Sequence, residues 1–272
     1  TLLLTLPVSA LGVILCFLPS FIYLIVGCML QGSGIGIIKS IVADLARMQK
    51  DVSYAKVWTR LSQIPLFAPI AITLIVGVLL HYIPWRFNLA LALVLIIAGW
   101  IFVYAFVPSA NTNMQKRSEK YFKPLVVIKL LLKSPVFLCY SLIFSLLVAA
   151  EAIFYTTAPF IIIKDMGILS KYFFICVLIF ISGIFFGLRF NNILENFMLH
   201  RTIILLSCCI AMITSIFLLV VDLVNLLDII PVMVVFFCFA FSIGLVEPSV
   251  RTYISRRFKQ YVVISTAFIS SV

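Results

Sequence analysis

Charged residues are scarce in this 272-residue sequence, and acidic residues are the scarcest. Asp, Glu, Lys and Arg together make up 11% of the chain, and only nine residues are acidic. A soluble domain carries about a quarter charged residues, because its surface must face water. Hydrophobic residues make up 64% of this chain. The composition therefore excludes a soluble globular domain and predicts that lipid is the solvent.

Metal-binding and catalytic patterns are also missing. The two histidines, His81 and His200, are assigned to different loops, and none of the seven cysteines forms a Cys-x-x-Cys pair. We interpret the cysteines as small apolar residues rather than as disulfides or metal ligands. The sequence contains no His-Glu-x-x-His, Gly-x-Ser-x-Gly or Asp-x-x-Asp. We therefore expect no metal, no cofactor and no enzymatic activity.

What is present is a series of long apolar runs. A transmembrane helix needs about twenty apolar residues, whereas a transmembrane strand needs about ten that alternate in polarity. Helices also pair their own backbone polar groups, as lipid requires. The sequence therefore predicts an all-α membrane protein with nine segments, of which the first and last are incomplete. These are 1–18, 20–43, 57–80, 87–107, 135–160, 171–188, 202–221, 229–250 and 260–272.

Basic residues are distributed unevenly between the loops that join these segments. If the first segment runs outward, all of the 20 Lys and Arg residues except Arg86, Lys164 and Lys171 fall on the inner side. The positive-inside rule assigns that side to the cytoplasm. The longest polar stretch predicts a cytoplasmic linker at 109–133 between an N-terminal half, 1–108, and a C-terminal half, 134–272.

Glu151 is the best candidate for a chemically active residue. It lies about sixteen residues into the segment that begins at Pro135, close to the bilayer midplane. Phe144 and Tyr155 share its face at helical spacing. An ionisable group at this depth is costly and usually faces a cavity or a partner. Glu151 is therefore either a binding site for a proton or cation, or a structural residue that bonds to a neighbouring helix.

Other intramembrane features have structural interpretations. Glu247 precedes Arg251 by four residues, a spacing that indicates a helical ion pair at the inner end of the segment, with Arg251 itself in the inner loop. Gly183 and Gly187 have the spacing that permits close helix crossing, and so do Gly32 and Gly36. Prolines within or at the ends of segments predict kinks.

Several short motifs resemble one family in the same order along the chain. Gln31-Gly32-Ser33-Gly34, followed by Asp44, resembles the fourth helix of the major facilitator superfamily drug–proton antiporters of the bicyclomycin and chloramphenicol resistance type. Further matches follow in the order of that family's fifth to tenth helices: Ala68-Pro69 with Gly77, Pro84-Trp85-Arg86-Phe87, Ala158-Pro159-Phe160, Gly187-Leu188-Arg189-Phe190-Asn191 and Gly244-Leu245-Val246-Glu247-Pro248. In the family, the match at Asn191 lies in the loop between the eighth and ninth helices.

The resemblance implies a major-facilitator-like bundle in two pseudo-symmetric halves with a central cavity and alternating access. It implies that the chain covers family helices three to eleven, truncated at both ends. The N-terminal half then holds family helices three to six, and the C-terminal half holds seven to eleven. The substrate cavity would be lined by Gln31, Phe144, Tyr155, Phe237 and Phe241.

Departures from the family pattern leave two hypotheses open. Cys28 stands where the family has an Arg tied to proton coupling, and Thr73 and Val76 replace Pro and Gly of its fifth-helix antiporter motif. The first hypothesis is a monomeric secondary transporter that exports drugs or small amphipathic compounds across a bacterial inner membrane in exchange for protons. The alternative is a truncated or degenerate transporter without activity.

Overall fold

The computed structural model describes residues 2–48, 60–79, 86–106, 124–167, 172–224, 228–258 and 265. Within these ranges all regular secondary structure is helical, which confirms the predicted all-α class. The helices are α1 Leu2–Cys16, α2 Phe21–Met48, α3 Phe67–Leu79, α4 Arg86–Phe106, α5 Pro124–Leu132, α6 Pro135–Pro159, α7 Phe173–Leu194, α8 His200–Leu223 and α9 Ile229–Arg257.

The apolar runs correspond closely to these helices. Among the described residues, five stretches are long and apolar enough to cross a membrane: Phe87–Ala105, Pro135–Lys164, Phe173–Leu194, His200–Leu223 and Ile229–Arg257. Shorter apolar helices occupy Thr5–Cys16 and Phe21–Gly34. The predicted segment at 260–272 lies outside the described residues, except for Ser265.

Prolines lie at or beside three helix boundaries. Residues 60–63 are helical, and a short 3-10 turn with Pro65 at its centre separates them from α3. Pro124 begins α5 inside the predicted linker, because proline suits the first turn of a helix, where its missing N–H is not needed. Pro159 ends α6, and a π-helical turn, Phe160–Asp165, follows it.

The described residues fall into two compact units. The first comprises the described residues within Thr1–Leu45, Tyr82–Ser134 and Val263–Val272, and so contains α1, most of α2, α4 and α5. The second comprises those within Ala46–His81 and Pro135–Val262, and so contains α3 and α6 to α9. The functional halves 1–108 and 134–272 stay a prediction.

In the first unit, glycines bring α1 and α2 together. A Cβ built on Gly12 would lie 2.6 Å from the carbonyl oxygen of Gly27, and one built on Gly34 would collide with the hydroxyl of Ser9. Among the described residues, no atom lies within 4 Å of a Cβ built on Gly32 or Gly36. The predicted crossing at Gly32 and Gly36 is therefore wrong for the described residues, because the face that meets α1 carries Gly27 and Gly34 instead.

In the second unit, α9 is the central helix and packs against α6, α7 and α8. Its contact with α7 is the closest. A Cβ built on Gly183 would lie 2.5 Å from the carbonyl oxygen of Phe237, and one built on Gly187 would lie 3.0 Å from Cα of Gly244. The predicted close crossing at Gly183 and Gly187 is confirmed, and Gly244 is its partner on α9.

Asn191 corrects the predicted end of α7. The sequence predicts that this segment ends at 188 and that Asn191 lies in a loop, whereas α7 continues to Leu194 and Asn191 is fully buried. Its side-chain amide donates to the carbonyl oxygen of Leu245 at 2.7 Å and to Oγ of Ser249 at 2.6 Å. The helix tolerates this polar residue because α9 supplies its hydrogen-bond partners.

Replacing Asn191 with Leu is expected to lower the free energy of unfolding by about 2 kcal/mol, because two buried groups on α9 lose their donor. Thermal unfolding of the purified protein in detergent measures this change. Asn196→Leu is the matched control, since the Asn196 amide is exposed and donates to the carbonyl oxygen of Asn192, one turn earlier. The control is expected to shift stability by about 0.5 kcal/mol or less. Equal losses in the two variants would contradict a clamping role for Asn191.

Candidate functional site

Glu151 lies near the middle of the apolar span Pro135–Lys164. It is half-buried in α6 and lies about 24 Å from Pro135 along the helix axis, at 1.5 Å per residue. Its carboxylate is near enough to the hydroxyl of Tyr155, one turn later, to interact with it electrostatically. The structure therefore places an acid one helical turn from a phenol, near the middle of this span, and the ion-binding role of Glu151 stays a prediction.

The second unit also contains a cation–π contact between Arg251 and Phe144. Phe144 is buried on α6, and Cζ of Arg251 from α9 lies 5.2 Å from its ring centroid. Nε of Arg251 lies 3.4 Å from Oε1 of Glu247, one turn earlier on α9. The predicted ion pair between Glu247 and Arg251 is confirmed. The assignment of Arg251 to a loop is wrong, because α9 continues to Arg257 and buries it.

An aromatic cluster connects α6, α7 and α9. The rings of Phe154 and Phe180 stack with centroids 3.8 Å apart, and Phe236 meets Phe154 edge-on at 4.8 Å. Tyr155 contacts Phe180 at 5.7 Å between centroids and is itself exposed. Tyr155 is therefore an exposed member of this mostly buried cluster. Glu151 lies one helical turn before it on α6.

Phe237 and Phe241 lie against α7. Their ring centroids are 6.3 Å from Phe186 and 5.8 Å from Phe190, respectively. Phe186 and Phe190 are both exposed. These ring contacts place Phe237 and Phe241 at the α7–α9 surface, whereas Phe144 faces Arg251.

Gln31 belongs to the first unit. It is half-buried on α2, and its Cγ would lie 3.0 Å from a Cβ built on Gly12. The absence of a side chain at Gly12 therefore gives Gln31 its place against α1.

Other residues of the family motifs differ in how deeply they are buried. Gly34 and Gly244 are buried at the two helix crossings, and Pro248 is buried inside α9. Pro69 is half-buried in α3, whereas Gly32 is exposed. These positions explain why small residues are needed at Gly34 and Gly244.

Four motif residues fall wholly or partly outside the described residues. Trp85 lies outside them altogether. For three further motif residues the structure describes the backbone alone: Asp44 in α2, Gly77 in α3 and Arg86 in α4. Their roles stay predictions.

A second pair of ionisable side chains, His200 and Glu195, was not predicted from the sequence. Nδ1 of His200 lies 3.8 Å from Oε1 of Glu195, and both side chains are largely buried. His200 begins α8, rather than lying in a loop, and Arg256 of α9 is close enough to interact with it electrostatically. A His five residues after a Glu across a short helix–helix turn was the available signal. In the part of the chain that the structure describes, no three His, Cys, Asp or Glu residues come together as a metal site.

Comparison with known proteins agrees with this architecture. A family model described as the Major Facilitator Superfamily matches residues 1–272. No curated protein matches the sequence. Transport rather than catalysis is the activity of this family, which accords with a bundle of membrane-spanning helices. The chain belongs to the Major Facilitator Superfamily and is a multi-pass membrane protein of the secondary-transporter class.

Proposed function

We propose that this protein is a proton-coupled exporter of drugs or small amphipathic compounds, of the bicyclomycin and chloramphenicol resistance type. Its location would be a bacterial inner membrane, where it would act as a monomer. The halves 1–108 and 134–272 would exchange access to a central cavity by moving about the linker 109–133.

The observation that carries the proposal is the position of Glu151. A half-buried carboxyl group halfway along a 30-residue apolar span is costly unless it binds something, and a proton is the simplest ligand for it. Tyr155 lies one helical turn away on the same face and interacts with it electrostatically. Glu151 is thus suited to exchange a proton for a cationic substrate.

The proposed cavity adds apolar and aromatic surface to this acid. Its candidate residues are Gln31, Phe144, Tyr155, Phe237 and Phe241. Aromatic walls with few polar groups suit flat amphipathic compounds, and ring faces attract organic cations. The exposed ring of Tyr155, one helical turn from Glu151, supports a substrate that is both apolar and positively charged.

A transport assay with purified protein tests the proposal. Liposomes that contain the protein are loaded with ethidium, and a proton gradient is imposed in the direction of exchange. We expect ethidium to leave faster than from protein-free liposomes, and an uncoupler to remove the difference. Absence of gradient-driven movement would favour the alternative, a degenerate transporter without activity, to which Cys28, Thr73 and Val76 already point.

A further inference from the structure

Two cysteines meet where α1 ends and α2 begins. Cys16 is the last residue of α1, and its side chain is buried. Cys28 lies in the second turn of α2 and is exposed. The two thiols are close enough to share a side-chain hydrogen bond. Both helices belong to the first unit and fold back on each other, so the pair lies within one compact body.

Two further contacts fix the sulfur of Cys16 against α2. Its thiol donates to the carbonyl oxygen of Leu24, with Sγ 3.9 Å from that oxygen. Sγ also lies 2.5 Å from the point where Gly27 would carry a Cβ, so glycine at this position leaves room for the thiol. In an α-helix the carbonyl of Leu24 points toward the amide of Cys28, one turn later. The sulfur of Cys16 therefore lies beside the turn that ends at Cys28.

The backbones approach closely at the same place. The backbone nitrogen of Cys16 lies 3.3 Å from a Cβ built on Gly27, and Cys28 follows Gly27 directly in the chain. Helices packed through larger side chains keep their axes about 8–10 Å apart. A disulfide joins Cα atoms that are roughly 4.4–6.8 Å apart. The close crossing at Gly27 thus brings Cys16 and Cys28 within the reach of a disulfide.

Another pair of neighbouring cysteines has a different geometry. Cys208 and Cys209 are successive residues of α8, and their thiols interact electrostatically. Successive residues of a helix do not face each other, so a bond between these two would distort the helix. They keep the interpretation of small apolar residues, whereas Cys16 and Cys28 face each other from two helices.

Exposure gives the two thiols of the α1–α2 pair different roles. Disulfide exchange begins when one thiolate attacks a disulfide, and it is completed when a second thiolate attacks the mixed disulfide that results. Cys28 is exposed and can meet an incoming disulfide, whereas the side chain of Cys16 is only 5% exposed. Because Cys16 contacts the thiol of Cys28, it is placed to make the second attack from inside the unit.

We propose that Cys16 and Cys28 form a disulfide-exchange site that joins α1 to α2 by a reversible covalent bond. Cys28 attacks an incoming disulfide, R–S–S–R, and forms a mixed disulfide with release of one R–SH. Cys16 then attacks Sγ of Cys28 and expels the second R–SH. The two cysteines are oxidised, the incoming disulfide is reduced to two thiols, and the protons lost by the cysteines go to the two leaving groups.

The predicted topology determines which oxidants this site would meet. When the first segment runs outward, the turn between α1 and α2 lies on the outer side of the membrane. In the proposed bacterial inner membrane that side faces the periplasm, where disulfides form and persist. The oxidant class is therefore a disulfide of a periplasmic protein. This location rests on the proposed function, whereas the chemistry of the pair does not.

Reaction of the purified protein with dithiodipyridine in detergent tests the proposal. This small uncharged disulfide enters both water and detergent, and each attack by a thiol releases one thiopyridone, which absorbance measures. A thiol that reacts alone keeps a thiopyridyl group, whereas a paired thiol expels that group and ends in a disulfide. In the wild-type protein we expect a bond between Cys16 and Cys28 and no thiopyridyl group on either, read by mass spectrometry of the digested protein.

Two variants separate pairing from reactivity. In Cys16→Ser, the exposed Cys28 should still react but should keep its thiopyridyl group, because the second thiol is absent. In Cys28→Ser, Cys16 should stay unmodified, because it is buried and has lost the thiol that captures the reagent. Serine is close to cysteine in size, so both variants are expected to fold.

Exposed cysteines of the second unit are internal controls in every sample. Cys139 on α6 and Cys209 on α8 should each react and keep a thiopyridyl group. A lasting thiopyridyl group on Cys28 of the wild type, or a wild type in which Cys139 reacts and Cys28 does not, would overturn the proposal. Failure of gradient-driven ethidium export would count against the proposed function alone, because the thiol reaction is measured without a gradient or a substrate.

Discussion

Replacing Glu151 with Gln is expected to reduce proton-driven ethidium export to the level of protein-free liposomes. The substitution keeps the size of the side chain and its capacity for hydrogen bonds, but it removes the group that takes up and releases a proton. Ethidium movement down its own concentration gradient, measured without a proton gradient, should persist if the protein is folded. The comparison of the two rates isolates coupling from binding.

Two further substitutions make this result specific. Asp222→Asn is the same carboxylate-to-amide change at an exposed position near the end of α8, and it should leave export unchanged. Glu151→Asp keeps the acid but shortens its reach toward Tyr155, so partial coupling is expected. Unchanged export by Glu151→Gln would remove Glu151 from the mechanism and leave its interaction with Tyr155 as a structural contact.

Helix positions were predictable because the bilayer sets the length of an apolar run. The segments predicted at 135–160 and 202–221 differ from α6 and α8 by a few residues at most. The end of α7 was not predictable, since Asn191 looks like a loop residue until its partners on α9, Leu245 and Ser249, are known. Distant partners decide whether a polar residue ends a transmembrane helix or continues it.

The contacts of the candidate site were likewise predictable only in part. The depth of Glu151 follows from counting residues within an apolar run, and the Glu247–Arg251 pair follows from helical spacing. The burial of Arg251 under Phe144 does not, because the two residues lie on helices that are far apart in sequence. Local periodicity gives the contacts within a helix, whereas contacts between helices depend on how each helix is rotated about its axis.

The glycine pairs illustrate this dependence on helix rotation, because their spacing predicted one helix crossing correctly and another incorrectly. Gly183 and Gly187 meet α9, whereas Gly32 and Gly36 face away from the described part of α1. Both pairs have the same spacing, so sequence alone could not distinguish them. What distinguishes them is a partner of matching size, Gly244, on the opposing helix.

This difference leads to a large expected effect on stability. In Gly187→Ala, the new methyl group would collide with the backbone carbonyl of Phe241, and it would lie 3.0 Å from Cα of Gly244. Backbone atoms cannot rotate away as a flexible side chain can, so α7 and α9 must separate. Overpacking of this kind costs about 1–3 kcal/mol, and separation would also strain the hydrogen bonds that Asn191 makes across the same crossing.

Gly99→Ala is the matched control, because no described atom lies within 4 Å of a Cβ built at Gly99 in α4. There the same substitution should be neutral or stabilising by up to about 1 kcal/mol, since Ala favours the helix over Gly. Thermal unfolding in detergent is expected to show a clear loss for Gly187→Ala and none for Gly99→Ala. A Gly187→Ala protein as stable as wild type would mean that α7 and α9 are not in close contact in the membrane. In that case the hydrogen bonds from Asn191 to Leu245 and Ser249 would also need to be reconsidered, because they cross the same helix contact.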